Sequence, residues 1–353
     1  MDQPVSVFDG HNDTLLRLYL DGGEEALDRF LAGGAPGHID LEKARAGHLI
    51  GGLFAIFPPS QDIAGVVDRP TAPPHDLPLP DPLPESDAIR STIAMASILH
   101  RLERRSKGRL TICRSVPDIE AAMAAGSLVA VLHVEGAEAI GPDLHMLDVL
   151  HAAGLRSLGP VWSRPNVFGH GVPMRYGDTP DVGDGLTEAG KRLIARCFDL
   201  RIMVDLSHLN LRGFEEVAAV SPAPLVATHS NAHAVTPHCR NLTDAQLDVI
   251  RSSRGVVGLN FATPFLRADG RTDPDTPLDD MLRHLDHLLG RLGEDGVALG
   301  SDFDGATIPR AIGSAAGLPR LIEALGRAGY GTALIEKIAW RNWLSVLSRT
   351  WAR

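Results

Sequence analysis

Eight short apolar segments recur along this sequence, and each one ends in polar residues. They span residues 5–13, 48–57, 128–136, 157–162, 202–208, 224–230, 255–261 and 296–305. Helix-like segments lie between them, and strands that alternate with helices form parallel sheets whose faces the helices cover. Eight such units can close into one ring. We therefore predict an α/β fold, a (β/α)8 TIM-type barrel.

The predicted helices show the spacing of apolar residues expected for one buried face. Four are the clearest, at residues 85–107, 186–200, 243–253 and 276–292. The last of these carries Leu282, Leu285, Leu289 and Leu292 on one stripe, which is the pattern of a helix packed against a core. Threonines at the starts of the second and third, Thr187 and Thr243, are predicted N-caps.

One segment interrupts the alternation. Residues 58–84 hold nine prolines, a density that forbids both a helix and a sheet ladder, so this segment is predicted to be a loop. A linker between two domains is the alternative interpretation. Strands on both sides of the segment are needed to close one barrel, so we expect a single domain over residues 1–353 with a Pro-rich loop insertion at 58–84.

Charge and hydropathy exclude two classes of partner. The net charge is −10, and Lys and Arg form no stripe of the kind that nucleic-acid binders direct at a phosphate backbone. No apolar run approaches the ~18 residues that a membrane span requires. We predict a soluble protein that binds neither nucleic acid nor membrane.

Cysteine usage and the termini indicate a reducing compartment. Cys113, Cys197 and Cys239 are far apart and outside any CxxC spacing, which supports neither a disulfide framework nor a thiolate zinc site. The first residues lack the basic and apolar regions of a secretory signal, and the last residues lack a hydrophobic anchor tail. These features predict a cytoplasmic protein.

Polar residues of metal-ligand and acid–base types stand at the ends of the predicted strands. They are His11, Asp13, Glu135, His208, His229 and Asp302. In a barrel the carboxyl ends of all strands meet at one rim, so these side chains should converge. Singly, His208 and His229 are equally compatible with a turn or a satisfied core position. Glu135 is harder to explain in that way, because a carboxylate buried without a cation costs several kcal/mol.

Three imidazoles and two carboxylates are ligands that suit zinc or a similar divalent ion. If one carboxylate bridges, they suffice for two ions that share a water of near-neutral pKa, which predicts hydrolysis as the reaction class. His233 lies four residues after His229 but follows a strand end and lacks the HExxH glutamate, so we do not count it as a ligand.

Six ordered motifs carry a resemblance to a known family. The segments FDGHND, HVEGAEAIG, VDLSHLN, ATHSNAHAV…CRNLTD, LNF and GSDFDG resemble the membrane (renal) dipeptidase family, from about residue 5 to the stretch at 339–347. The resemblance implies a barrel of the metal-dependent hydrolase kind. It also implies hydrolysis of small dipeptides, including those with a C-terminal D-residue, by a metal-bridging hydroxide.

The resemblance assigns a metal role to five residues. By it, His11 and Asp13 would bind one zinc, Glu135 would bridge and also take part in catalysis, and His208 with His229 would hold the second zinc. Two Zn²⁺ per chain are thus implied, although other divalent ions also suit these ligands. A homodimer is common in the family and is expected here.

Substrate roles follow from the same resemblance. Asp302 would act as acid–base or substrate ligand, and Arg240 would clamp the substrate carboxylate, which its planar fork matches. Two positions depart from the family pattern: Trp162 stands where a histidine contacts the developing oxyanion, and Ala262 where an aromatic is frequent. His170, between two glycines, could fold over the metals and replace that histidine, or could be a solvated loop residue.

Two other functions remain open from the sequence. One is another amidohydrolase-like metal enzyme, such as a lactonase, deacetylase or phosphotriesterase. Those barrels usually begin with HxH and often use a bridging lysine, whereas this chain has HxD and Glu135. The other is a non-catalytic barrel, which should have lost ligands; all five are present.

Overall fold

The computed structural model describes residues 4–60 and 79–352. Within those ranges the strands are β1 (Val7–Asn12), β2 (Leu49–Ile56), β3 (Leu110–Ile112), β4 (Leu128–Glu135), β5 (Leu155–Gly159), β6 (Met203–Val204), β7 (Val226–Ala227), β8 (Val256–Leu259) and β9 (Val297–Leu299). The eight segments predicted as strands each overlap one of these. The short β3 was not predicted, and the predicted strand at 157–162 begins two residues earlier, at Leu155.

All the strand pairs are parallel. One sheet has the order β1-β2-β4-β5-β6, with β3 paired to the beginning of β4, and a second has the order β7-β8-β9. Single parallel bridges join the two sheets at both seams, Asp205 with Val226 and Asn12 with Phe303. The strands therefore close into a ring, which confirms the predicted barrel, with β3 as an accessory strand.

Helices cover the outside of the ring. They are α1 (Thr14–Asp21), α2 (Gly23–Ala32), α3 (Leu41–Ala46), α4 (Glu85–Ser106), α5 (Val116–Ala124), α6 (His145–Ala153), α7 (Glu188–Asp199), α8 (Leu211–Val220), α9 (Asp244–Ser252), α10 (Thr263–Leu266), α11 (Leu278–Leu292), α12 (Leu318–Arg327), α13 (Thr332–Glu336) and α14 (Asn342–Trp351). A π-helical turn, Lys337–Arg341, joins the last two. No helix among the described residues combines the length and the apolar character needed to cross a membrane.

The four clearest helix predictions are confirmed as α4, α7, α9 and α11. Both predicted threonine caps are also present. Thr187 Oγ1 accepts a hydrogen bond from the Gly190 amide at 3.0 Å, and Thr243 forms a capping box with Gln246. These helices begin where a side-chain oxygen satisfies an amide that has no partner within the helix.

The barrel interior is apolar at one end and polar at the other. On β4 the side chains of Val129 and Val131 share a face with those of His133 and Glu135, because alternate residues of a strand point the same way. The two valines join a buried cluster that includes Trp343 of α14, whose indole donates to the Leu299 carbonyl at 2.8 Å. The polar pair therefore lies at the carboxyl end of the strands.

The predicted Pro-rich loop is only partly described. Residues 58–60 and 79–84 contain neither helix nor strand, as expected for this proline content. Residues 61–78 lie outside the described residues.

Candidate metal centre

Glu135, the last residue of β4, lies at the centre of the converging side chains. Its Oε1 is 3.0 Å from His208 Nε2 and 3.3 Å from His229 Nε2, and its Oε2 is 3.6 Å from His11 Nε2. His11 Nε2 is in turn 3.4 Å from Oδ2 of Asp13. The structure thus brings together all five side chains predicted as metal ligands, around the two oxygens of one carboxylate.

Asp302 completes one side of this group. Its carboxylate lies with the ligand atoms of His11 and Asp13 inside a cluster whose atoms are all within 4.8 Å of one another. Asn260 donates to Asp302 Oδ2 at 2.9 Å, and the backbone of Asp302 has a φ of 59°. A positive φ is costly for a residue with a side chain, and such strain is concentrated at functional sites.

Hydroxyl groups orient two of the histidines. Ser163 Oγ lies 2.9 Å from His208 Nδ1, and Thr228 Oγ1 lies 2.8 Å from His229 Nδ1. With Nδ1 engaged in this way, each ring directs Nε2 towards Glu135. Such contacts orient metal-ligating histidines, and neither hydroxyl was predicted from the sequence.

A second group of buried polar residues lies beside His11 and was also not predicted. His133 and Asp205 form a cluster with His11 in which the ligand atoms are within 4.8 Å of one another. Asp205 accepts hydrogen bonds from both the amide, at 2.8 Å, and the hydroxyl, at 2.6 Å, of Thr228. Burial lowers the pKa of His133 to about 4, so this ring is neutral. His133 could have been predicted to lie beside Glu135, because it precedes Glu135 by two residues and alternate residues of a strand share one face.

Burial and mutual charge determine the protonation of the ligands. Burial lowers the pKa of His208 to about 4 and that of His229 well below its usual range. Burial opposes ionisation of Glu135 as well, but His11 and His208 outweigh it and hold the pKa of the carboxyl well below normal. The same contacts with Glu135 and Asp13 raise the pKa of His11 despite its burial. A cation that binds His11 must therefore displace a proton.

The residues present fit a divalent metal. Both ring nitrogens of His11 and Oδ1 of Asp13 are buried, and none of the three has a partner at hydrogen-bonding geometry among the described residues. Unpaired buried polar atoms are costly, and a bound cation is one of the few partners that would satisfy them. The donors are imidazole nitrogens and carboxylate oxygens, the set that zinc accepts.

Arg240 lies next to the second pair of histidines. It is 3% exposed, and its Nη2 donates to the His229 carbonyl at 3.1 Å while Nη1 is 3.5 Å from Ser230 Oγ. Its Nε has no hydrogen-bond partner within residues 4–60 and 79–352, and its guanidinium carbon lies 5.5 Å from the centre of the Phe265 ring. The Arg240 side chain is therefore held beside the proposed metal ligands, and its guanidinium keeps N–H donors that a further acceptor could use.

The two residues that depart from the family pattern are buried. Trp162 lies 5.8 Å from His208, measured between ring centres, and packs against Phe57. Ala262 is 1% exposed and directly precedes α10.

His170 and His233, the two other histidines considered from the sequence, contact residues outside the ligand group. His170 faces Gly183 and lines a cavity of about 200 Å³, and within the described ranges no hydrogen bond or ring contact joins it to the five ligands. His233 Nε2 lies 3.0 Å from the Asp178 carbonyl oxygen, outside the ligand group.

Comparison with known proteins gives a consistent result over the whole chain. The family model described as membrane dipeptidase (peptidase family M19) matches residues 2–352. The crystal structure of dipeptidase AC, a metallopeptidase of family M19, is 52% identical, covers 99% of this chain and 100% of its own, and superposes with a TM-score of 0.96. A metallopeptidase from Rhodobacter sphaeroides, liganded with a phosphinate mimic of the dipeptide L-Ala-D-Ala, has the same identity, coverage and TM-score. An uncharacterised Klebsiella pneumoniae protein of the pqqA 5′ region is 50% identical over 72% of this chain and 94% of its own length.

Proposed function

This chain belongs to the membrane dipeptidase family of metallopeptidases, and we propose that it is a binuclear zinc dipeptidase. Its substrates would be small dipeptides, including those with a C-terminal D-residue. The 52% identical relative that binds a phosphinate mimic of L-Ala-D-Ala supports this substrate class. The hydrolysis breaks the peptide C–N bond, adds the oxygen of water to the carbonyl carbon and delivers a proton to the leaving amine.

The observation that carries the two-metal proposal is the position of Glu135. Its Oε2 faces His11, which adjoins Asp13, whereas its Oε1 faces His208 and His229. One carboxylate that offers a separate oxygen to each group of ligands is the arrangement needed for a bridging role. Two zinc ions held there would lower the pKa of a shared water and polarise the substrate carbonyl.

The other residues would position the substrate and move a proton. Arg240 would bind the free carboxylate of the dipeptide through its unengaged donors, since guanidinium and carboxylate match in shape and charge. Asp302 would carry the proton to the leaving amine. Burial raises the pKa of Asp302 above its usual value, which brings this carboxyl closer to the range in which it can both accept and release a proton.

Metal analysis of the purified protein, combined with a panel of dipeptides assayed with and without zinc, tests this proposal. We expect two zinc ions per chain and turnover of dipeptides. Glu135→Ala should lose both ions, whereas His208→Ala should retain the ion at His11 and Asp13 at least in part. His233→Ala is the matched control, because this histidine follows His229 by four residues but contacts the Asp178 carbonyl outside the ligand group, and the variant should keep both ions.

Two results would contradict the proposal. Full activity with about one tightly bound zinc per chain would exclude the two-metal mechanism. Hydrolysis of lactones or phosphotriesters without hydrolysis of dipeptides would favour another amidohydrolase-like enzyme, and two bound ions with no turnover of any substrate would favour a non-catalytic barrel.

We also propose that the protein is cytoplasmic and a homodimer. The support for a reducing compartment is that Cys113 and Cys197 are buried and form no disulfide within the described ranges. The support for the dimer is family membership. Cell fractionation and light scattering would test the two statements separately.

A further inference from the structure

A fully buried ion pair lies at the rim of the barrel beside the metal centre. Arg164 Nε and Nη2 donate to the same oxygen of Glu138, Oε1, at 3.0 and 2.8 Å. Both side chains are buried, with side-chain exposures of 0% and 1%. The remaining atoms Arg164 Nη1 and Glu138 Oε2 make no hydrogen bond to any residue that the structure describes. Removing two charges from water costs several kcal/mol per ion, so a pair with incomplete hydrogen bonding is weak as a stabilising device.

Arg164 contacts three loops that follow different strands. Glu138 follows β4, and Arg164 itself follows β5. Its Nη2 also donates to the Pro58 carbonyl, after β2, at 3.0 Å. Its guanidinium carbon lies 5.7 Å from the ring centres of both Phe57 and Trp162. The arginine thus holds the loop after β2 and the loop after β5 in one fixed relation.

The two rings that Arg164 contacts form an apolar surface next to the metal ligands, which we call the aromatic wall (Phe57 and Trp162). Their ring centres are 5.0 Å apart in an edge-to-face arrangement, and Trp162 lies 5.8 Å from the His208 ring. Leu16 and Met174 pack against the wall and remain partly exposed. Trp162 thus adjoins a proposed metal ligand, and Leu16 and Met174 continue the apolar surface from the wall to solvent, which suits this surface to contact a substrate side chain.

We propose that Arg164 is a positioning residue that fixes the aromatic wall, and that the wall selects dipeptides with an apolar side chain at one of their two positions. This inference rests on the proposed dipeptidase function and specifies its substrate class. Arg164 acts through the wall and does not itself reach the substrate, because it is fully buried. Only arginine supplies a planar cation that can lie against two aromatic rings while it donates to a carboxylate and a carbonyl.

The test compares dipeptides that differ at one position at a time: Leu-Gly against Ser-Gly, and Gly-Leu against Gly-Ser. For the wild type we expect kcat/KM for leucine to exceed that for serine by ~10-fold or more at one position, the range for differences in apolar pockets. Arg164→Met should reduce this preference to within about threefold, through KM for the leucine substrate, while kcat and zinc content change by less than about twofold.

Two further variants keep the test decisive. Arg156→Met is the matched control, because Arg156 lies on β5, the strand that precedes Arg164, and its hydrogen bonds within the described part of the chain go to backbone carbonyls. It should leave the preference unchanged. Trp162→Ala alters the wall without removing the ion pair and should reduce the same preference, which keeps the test valid if Arg164→Met does not fold.

Several outcomes would overturn the inference. A wild type without any preference for leucine would show that the wall does not contact the substrate, although dipeptide turnover would leave the proposed function intact. An undiminished preference in Arg164→Met, or an equal loss of kcat on every substrate, would show that Arg164 does not act through the wall. Absence of dipeptide turnover in the wild type would instead overturn the proposed function.

Discussion

Gly305 lies so close to Asp13 that a Cβ at position 305 would stand 2.1 Å from Oδ2 of Asp13. The same Cβ would be 2.5 Å from Oδ1 of Asp302. Real Cβ atoms do not approach other atoms so closely, so any side chain at this position must displace a carboxylate. Gly305 is therefore needed for the space that it leaves beside two residues of the proposed site.

Replacement of Gly305 by alanine should weaken metal binding. We expect Gly305→Ala to shift Asp13 and to reduce zinc affinity by ~10- to 100-fold, the range for disturbed support of a metal ligand. Competition with a chromogenic chelator measures this affinity. Gly290→Ala is the control, because within the described residues its added methyl group would meet no atom within 4 Å outside its own helix, and it should bind zinc normally. Equal zinc affinity in both variants would contradict the prediction.

Asp302 and Asp304 should respond differently to the same substitution. Asp302→Asn should lower kcat by ~10²-fold or more with near-normal metal content, as expected for loss of an acid–base group. Asp304 accepts hydrogen bonds from the Thr14 hydroxyl at 3.2 Å and the His38 amide at 2.6 Å, so Asp304→Asn should instead reduce the free energy of unfolding by about 1–3 kcal/mol. Steady-state kinetics and urea unfolding of both variants separate the two effects; equal kinetic damage would refute the distinction.

Arg240 should matter only for substrates with a free carboxylate. Arg240→Met should raise KM for dipeptides, because the charged partner of the carboxylate is lost. A C-terminally amidated dipeptide already lacks that charge, so its kinetics should change little. Because Arg240 also donates to the His229 carbonyl, zinc content must be measured alongside. Parallel losses on both substrates would assign Arg240 to the support of His229.

The role of His170 can be decided by one variant. If the loop brings this imidazole over the metals to assist the oxyanion, His170→Ala should lower kcat and kcat/KM together by ~10- to 10³-fold, the range for loss of one oxyanion donor. An unchanged kcat with both ions bound would leave that assistance to Trp162 or to the metals. Zinc content of the variant is the accompanying measurement.

His284 should make the protein less stable in acid. It is fully buried, and its Nδ1 accepts a hydrogen bond from the Ala232 amide at 3.1 Å. Burial lowers its pKa from 6.5 to about 4, so between these values the unfolded chain binds the proton that the folded chain excludes. The resulting stability, about 3 kcal/mol, is complete above pH 6.5 and is lost as the pH falls through 4.

Urea unfolding between pH 4 and 7 measures this contribution. The free energy of unfolding of His284→Gln should fall less steeply with decreasing pH than that of the wild type. The other buried histidines are the same in both proteins, so the difference isolates His284. Identical pH dependence would show that His284 is protonated without penalty.

The barrel and the ligand types could be predicted because both follow from local patterns. Strand–helix alternation predicted the fold, and polar residues at strand ends predicted which side chains converge. The supporting residues could not be found in that way. Thr228 and Ser163 acquire a role only through the ring nitrogen that each one faces, and Asp205 only through its contact with Thr228.

The buried ion pair shows the same limitation. Neither Glu138 nor Arg164 stands at a strand end, and a charged residue in a loop is ordinarily expected to be exposed. Their burial depends on loops that come together from three places in the chain. Such a relationship is a property of the tertiary structure and has no signature in spacing or hydropathy.

The bridge between Asn12 and Phe303 limits when the ring of strands can close during synthesis of the protein. It places ligands from the beginning of the sequence next to a residue from near its end, so His11 and Asp13 leave the ribosome long before Asp302 is made. At translation rates of about 5–20 residues per second, the interval is tens of seconds. During that time the bridge between Asn12 and Phe303 cannot form, so the ring of strands that holds the five proposed ligands together closes only near the end of translation.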